Sequence, residues 1–193
     1  MKAVFSMEAS GLQEISNPAG LFLEERSNDA SGSVVCACLE GNRPILVEVQ
    51  ALVAKTPYGM PRRTAVGFDY NRVTMLLAIL ERRLGMDFGA YDAYVNVVGG
   101  MRVTEPAADL AVAAALVSSY RNRPIPHGVL VMGEVGLTGE VRRIGSPERR
   151  IKDAMNLGFK RFVLPMGKLS LDEPCNGIVQ VKTLEEALDK VFA

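Results

Sequence analysis

Two spacings of apolar side chains alternate along this chain, and together they predict its elements. Runs rich in Val, Ile and Leu occupy residues 33–39, 45–54, 64–68, 93–98, 128–132, 159–164 and 178–181, and each predicts a strand. Elsewhere the period lengthens to that of a helix. Val73, Leu76, Leu77, Leu80 and Leu84 fall on one face of a segment that Asp69 can cap and Gly85 can end. A second helix follows Gly99-Gly100, with Thr104 as its cap and Glu105 and Pro106 in its first turn, where a carboxylate and a proline are both favourable. Its interior is mostly alanine, so neighbouring elements can approach closely. Ser146-Pro147 opens a third helix, and Thr183-Leu184-Glu185-Glu186 is a capping box for a fourth.

Residues 40–44 join the first two long strands as a hairpin, and Gly133, Gly136 and Gly139 place a tighter one before residues 140–143. Early strands paired as hairpins and later strands alternating with helices predict an α+β architecture, an α/β sandwich with helices packed on a mixed sheet. Residues 4–7 and 12–15 can pair as short strands, so residues 1–17 read as an N-terminal arm or the remnant of a preceding domain. A single domain is expected over residues 18–193.

Composition narrows the class. With 48% hydrophobic and 23% charged residues, the chain has the make-up of a soluble globular protein. No apolar run reaches the roughly 18 residues that span a bilayer, and the N-terminal stretch is too short for a secretory signal. A cytoplasmic location and no membrane contact are expected. Cys36 and Cys38 alternate onto one strand face, but His127 is the single histidine, so buried thiols are expected rather than a metal site. Formal charge sums to zero, yet seven basic residues against two acids fall between Arg142 and Arg161. Such a band implies a local anionic contact.

Candidate chemistry is sparse. Gly99-Gly100 leads to Thr104-Glu105-Pro106 instead of the Gly-Lys-Ser/Thr that a phosphate-binding P-loop requires. His127 lies on a loop with no partner at ligand spacing, Ser118 and Ser119 end a helix, and Ser146 is placed to cap one.

Two longer stretches carry a resemblance. Val95-Asn96-Val97-Val98-Gly99-Gly100 through Leu110, then residues 133–145, resemble the proteolytic domain of Lon, and the likeness continues through Phe162-Val163-Leu164-Pro165. Aligned without gaps, Ala108 stands where the Lon serine would be and Glu148 where its lysine would be. A serine nucleophile needs its hydroxyl and a nearby base, and losing it costs on the order of 10⁶ in turnover. No catalytic residue is therefore expected in this chain; Asp109 and Ser118 are the alternatives for a peptidase with an unorthodox nucleophile.

A closer resemblance covers essentially the whole chain. Glu14-Ile15-Ser16-Asn17-Pro18, residues 46–53, Pro61-Arg62-Arg63, Asn71-Arg72, Thr104-Glu105, Ala108-Asp109-Leu110-Ala111 and Gly133-Glu134-Val135-Gly136-Leu137 are similar to the C-terminal Lon-like domain of the RadA (Sms) family of bacterial DNA repair proteins. That resemblance implies a Lon proteolytic-domain-like fold, a homo-oligomer in the form of a hexameric ring, and single-stranded or branched DNA as partner. It also implies branch migration driven by an ATPase, with ATP, Mg and Zn belonging to a preceding part and no cofactor in this chain. Arg62, Arg63, Arg142, Arg143, Arg149, Arg150 and Lys152 are the candidates to contact DNA, through phosphates rather than bases because no aromatic residues are interleaved. An oligomerisation module without DNA contact is the remaining alternative.

Overall fold

The computed structural model describes residues 4–8, 11–15 and 30–193, apart from 58, 172 and 173. Strands β1 (Val4–Glu8) and β2 (Gly11–Ile15) pair antiparallel, Val4 opposite Ile15, as the spacing predicts. The expected boundary at residues 17 and 18 lies outside the described residues.

The body is built on a hairpin of β3 (Ser33–Glu40) and β4 (Arg43–Lys55), in register from Ser33↔Gln50 to Glu40↔Arg43. To it are added β5 (Arg63–Val66), β6 (Tyr91–Val97), β7 (Val129–Val131), β10 (Arg161–Pro165) and β11 (Ile178–Val181). Among the described residues these form one mixed seven-stranded sheet in the order β11-β10-β7-β3-β4-β6-β5. The neighbours β11, β10, β7 and β3 run parallel, whereas β3, β4 and β6 alternate in direction. A separate short hairpin joins β8 (Glu134–Val135) to β9 (Val141–Arg142). This is an α+β sandwich with helices on a mixed sheet.

Helices α1 (Tyr70–Leu84), α2 (Asp109–Tyr120) and α4 (Leu184–Phe192) share one core with the sheet, while α3 (Pro147–Asn156) covers the other face. Every residue of α2 from Asp109 to Ser118 is buried. It lies against β3, β4 and β6 and is covered in turn by α1 and α4. Ala111, Ala113, Ala114 and Ala115 make this possible, because a helix packed on all sides must let backbones come close. On the opposite face Ile151 and Ala154 of α3 meet Val35, Leu130 and Phe162. Among the described residues no helix covers Leu52 and Val66 on the outer surface of β4 and β5, and they are 60% and 53% exposed.

Helix ends agree with the sequence at some places and differ at others. Asp69 caps α1, its carboxylate accepting from the Arg72 amide at 2.8 Å, and Gly85 ends the helix in the left-handed region at φ 66°. Thr183 caps α4 by accepting from the Glu186 amide at 3.2 Å. Thr104 does not cap the second helix. A 3₁₀ turn (Pro106–Ala108) intervenes, with Glu105 at its cap position, and α2 begins at Asp109. Ser146 stands at the cap of α3, but at φ 51° its hydroxyl makes no capping bond. Cys36 and Cys38 share one strand face with sulfurs 3.6 Å apart, both buried.

The close quarters around α2 set an expectation for stability. Ala114→Leu forces extra methylenes into a filled core and should destabilise the domain by about 1–3 kcal/mol, read from urea unfolding midpoints.

Candidate functional site

The chain reaches α2 through a narrow passage. Gly133 donates its amide to the Ala107 carbonyl at 2.8 Å and accepts from the Leu110 amide at 3.0 Å, so the end of β7 is stitched to the helix start. A Cβ on Gly133 would lie 2.8 Å from Val141 Cγ1, which leaves glycine as the residue that fits this approach. Ala108 sits inside this closure, fully buried, with its amide on the Glu105 carbonyl at 3.3 Å. Glu148, in the first turn of α3, faces the other way. Its carboxylate accepts from the Ser170 amide at 3.3 Å and lines a groove of about 300 Å³ with Arg149, Lys152, Met155 and Leu171.

Two ion pairs flank Ala108, each with one fully buried and one partly exposed partner. Arg150 is fully buried and meets Glu105 through both terminal nitrogens, Nη1 to Oε2 at 2.9 Å and Nη2 to Oε1. Its Nε donates to the Gly145 carbonyl at 2.8 Å and Nη1 also to the Ala37 carbonyl at 2.6 Å, while Glu105 accepts from the Leu39 amide at 2.8 Å. Arg150 is therefore no DNA contact, and it pairs with neither Glu148 nor Asp153. On the other side, Asp109 takes Nε and Nη2 of Arg72, the former at 2.8 Å, and the Val135 amide at 3.1 Å. Burial pushes the Asp109 carboxyl above its usual range, with Arg72 and the Val135 amide pulling against it. Arg72 is held above its usual value by that same carboxylate.

Neither alternative nucleophile is poised to act. Asp109 is enclosed by its ion pair, and a carboxylate so satisfied has no open approach. Ser118 is also buried, its hydroxyl donating to the Arg123 carbonyl at 2.5 Å and accepting from the Gly32 amide at 2.8 Å. These bonds tie the end of α2 to the start of β3. His127 is exposed on its loop. Among the described residues no cluster of three or more His, Cys, Asp or Glu could hold a metal, and no helix is long and apolar enough to cross a membrane.

The remaining basic candidates separate into groups. Arg63 is half-buried and spends its guanidinium on the carbonyls of Arg62, Tyr91 and Phe88, which makes it a structural clamp rather than a free cation. Arg62 is exposed, and its amide donates to Asp92, holding that carboxyl below its usual range. Both arginines lie at the β5 edge, at the far side of the sheet from β10. Arg142, Arg143, Arg149 and Lys152 are all exposed, the first two at the end of β9 and the last two on α3. Arg142 pairs with Glu140 at 2.7 Å, an exposed pair of little energetic weight. Arg143 donates to the Met166 carbonyl at 3.3 Å.

A helical period distinguishes Arg150 from Arg149. Arg150, Ile151 and Ala154 form the buried face of α3, a spacing visible in the sequence. Substituting Arg150 by Ala empties a fully buried site and leaves the partly buried Glu105 without its partner, which should cost about 3 kcal/mol in urea unfolding, whereas Arg149→Ala should stay within about 0.5 kcal/mol. The Glu140 carboxyl, lowered to about 2 by the Thr138 hydroxyl, a backbone amide and Arg142, should titrate near that value by NMR. Because its pKa is depressed in the folded state, its contribution to the β8–β9 hairpin is present above the usual glutamate value. That contribution is lost as pH falls toward 2.

Comparison with known proteins gives the family. The family model described as subunit ChlI of Mg-chelatase matches residues 49–168, more than half of the chain. DNA repair protein RadA of Pseudomonas aeruginosa is 49% identical over 190 residues, covering 98% of this chain and 42% of that protein. RadA of Halalkalibacterium halodurans is 47% identical over 190 residues, 96% of this chain and 41% of that protein. RadA of Bacillus subtilis is 47% identical over 187 residues, with 96% and 41% covered. The chain thus spans about two fifths of the length of these relatives. It belongs to the Lon-like family that the ChlI model describes, as a domain of the type found at the C-terminus of RadA.

Proposed function

We propose that this domain is a non-catalytic, Lon-like scaffold of a RadA-type DNA repair ATPase. It supports a hexameric ring and holds single-stranded or branched DNA, independently of sequence, while recombination intermediates undergo branch migration. ATP hydrolysis, with its Mg and Zn, belongs to the portion of such longer proteins that this chain does not match. The observation that carries the reading is one of contrast. Ala108, which aligns with the Lon serine, is a sealed methyl group, while Arg142 and Arg143 at β9 and Arg149 and Lys152 on α3 are exposed. Phosphates need charge and reach, and these four side chains supply both.

Ring assembly requires apolar surface that folding leaves uncovered. Leu52, Met60, Val66 and Tyr70 are exposed on or beside β5 and β4, and they support self-contact along that edge.

Three measurements test these roles. The combined Ala variant of Arg142, Arg143, Arg149 and Lys152 should flatten the dependence of log affinity on log salt by about 3 units on single-stranded DNA. An unchanged slope would remove DNA contact from the proposal. Leu52→Asp with Val66→Asp should shift sedimentation toward the monomer without altering circular dichroism. An unfolded protein substrate should remain intact with the wild-type chain and with Ala108→Ser, since the added hydroxyl has no base beside it; cleavage by either would restore the peptidase alternative.

A further inference from the structure

The seven basic residues between Arg142 and Arg161 do not form one band in space. Strand β10 runs from Arg161 to Pro165, so Lys160 and Arg161 lie at its N-terminal end, whereas Arg143 reaches the Met166 carbonyl just past its C-terminal end. At about 3.3 Å per residue, these ends are roughly 16 Å apart.

Cations from remote parts of the chain gather at the N-terminal end. Arg121 and Arg123 follow α2, and Lys190 lies in the last turn of α4. Contacts between backbone and side chains hold them together: Arg123 Nη2 donates to the Phe192 carbonyl at 2.5 Å and Arg161 Nη2 to the Lys190 carbonyl at 2.5 Å. The amides of Lys160 and Arg161 both donate to the Gly128 carbonyl, at 3.1 and 3.0 Å. The guanidinium carbons of Arg121 and Arg123 stand 5.9 and 5.4 Å from the centre of the Phe192 ring. Asp189 is the acidic neighbour on the same end of α4.

These contacts neutralise the negative end of α4 and also fix the two guanidinium planes, so less freedom is lost when they bind a further anion. We infer that Arg121, Arg123, Lys160, Arg161 and Lys190 form a second phosphate-binding surface. It carries a nucleic-acid strand round the N-terminal end of β10, beyond the cations of α3. The inference rests on the reading that the domain binds DNA and lengthens the segment that one domain covers. A protein partner would call for an apolar centre to the contact. Here Phe192 is only 5% exposed beneath the arginines, and Leu157 is the exposed large apolar side chain in the adjoining segment. Charge without apolar area suits a phosphate backbone.

Arg121→Ala with Lys160→Ala and Lys190→Ala removes three cations and leaves the Arg123 and Arg161 caps on α4. Anisotropy titrations with single-stranded oligonucleotides of increasing length should show the salt slope flattened by about 2 units. The length needed for full affinity should shorten. A milder pair, Lys160→Gln with Lys190→Gln, should flatten the slope by about 1.4 units and guards against loss of fold in the triple variant. Unchanged slope and length in both variants overturn the inference. So does a variant that keeps its slope but loses self-association in sedimentation, which assigns the surface to an acidic protein contact. If the variant of Arg142, Arg143, Arg149 and Lys152 flattens the slope and the triple variant does not, the second surface alone falls. If neither does, the DNA reading falls with it.

Discussion

Arg150 joins three parts of the molecule through a single guanidinium. Its guanidinium comes from α3 on one face of the sheet, takes the Ala37 carbonyl of β3, and ends on Glu105, which leads into α2 on the other face. A charge taken out of water is tolerable only when its donors are used and its counter-ion is held in turn. Glu105 meets that condition through the Leu39 amide. Among the described residues no buried side-chain nitrogen or oxygen lacks a hydrogen-bond partner. The layers of the sandwich are therefore registered by a polar bond as well as by packing.

The Arg72–Asp109 pair does the same for α1, α2 and the β8–β9 hairpin. With one pair on each side of Ala108, the start of α2 is enclosed by groups that are already satisfied.

Much of the fold was legible in the chain. Runs rich in Val, Ile and Leu marked the strands, the Asp69 and Gly85 signals bounded α1, and Thr183 capped α4 as expected. Thr104 misled because Pro106 begins a 3₁₀ turn before the α-helix is established. The site was less legible, since sign of charge says nothing about direction. Arg149 and Arg150 differ by a rotation of about 100° on the helix, which sends one to solvent and the other to Glu105. Arg63 likewise looked like a surface cation until its three carbonyl partners were in view. The approach of Arg121 and Arg123 to Phe192 has no sequence signal at all, because it depends on where α4 docks.

The paired thiols of β3 carry a chemical consequence. Cys36 is held well above the usual thiol range, first by its bond with Cys38 and then by burial. Almost none of it is thiolate at neutral pH, and neither sulfur meets solvent while the strand stays in place. Alkylating reagents can thus reach them only during excursions that expose the centre of the sheet, so the domain contains an intrinsic gauge of how often its core opens.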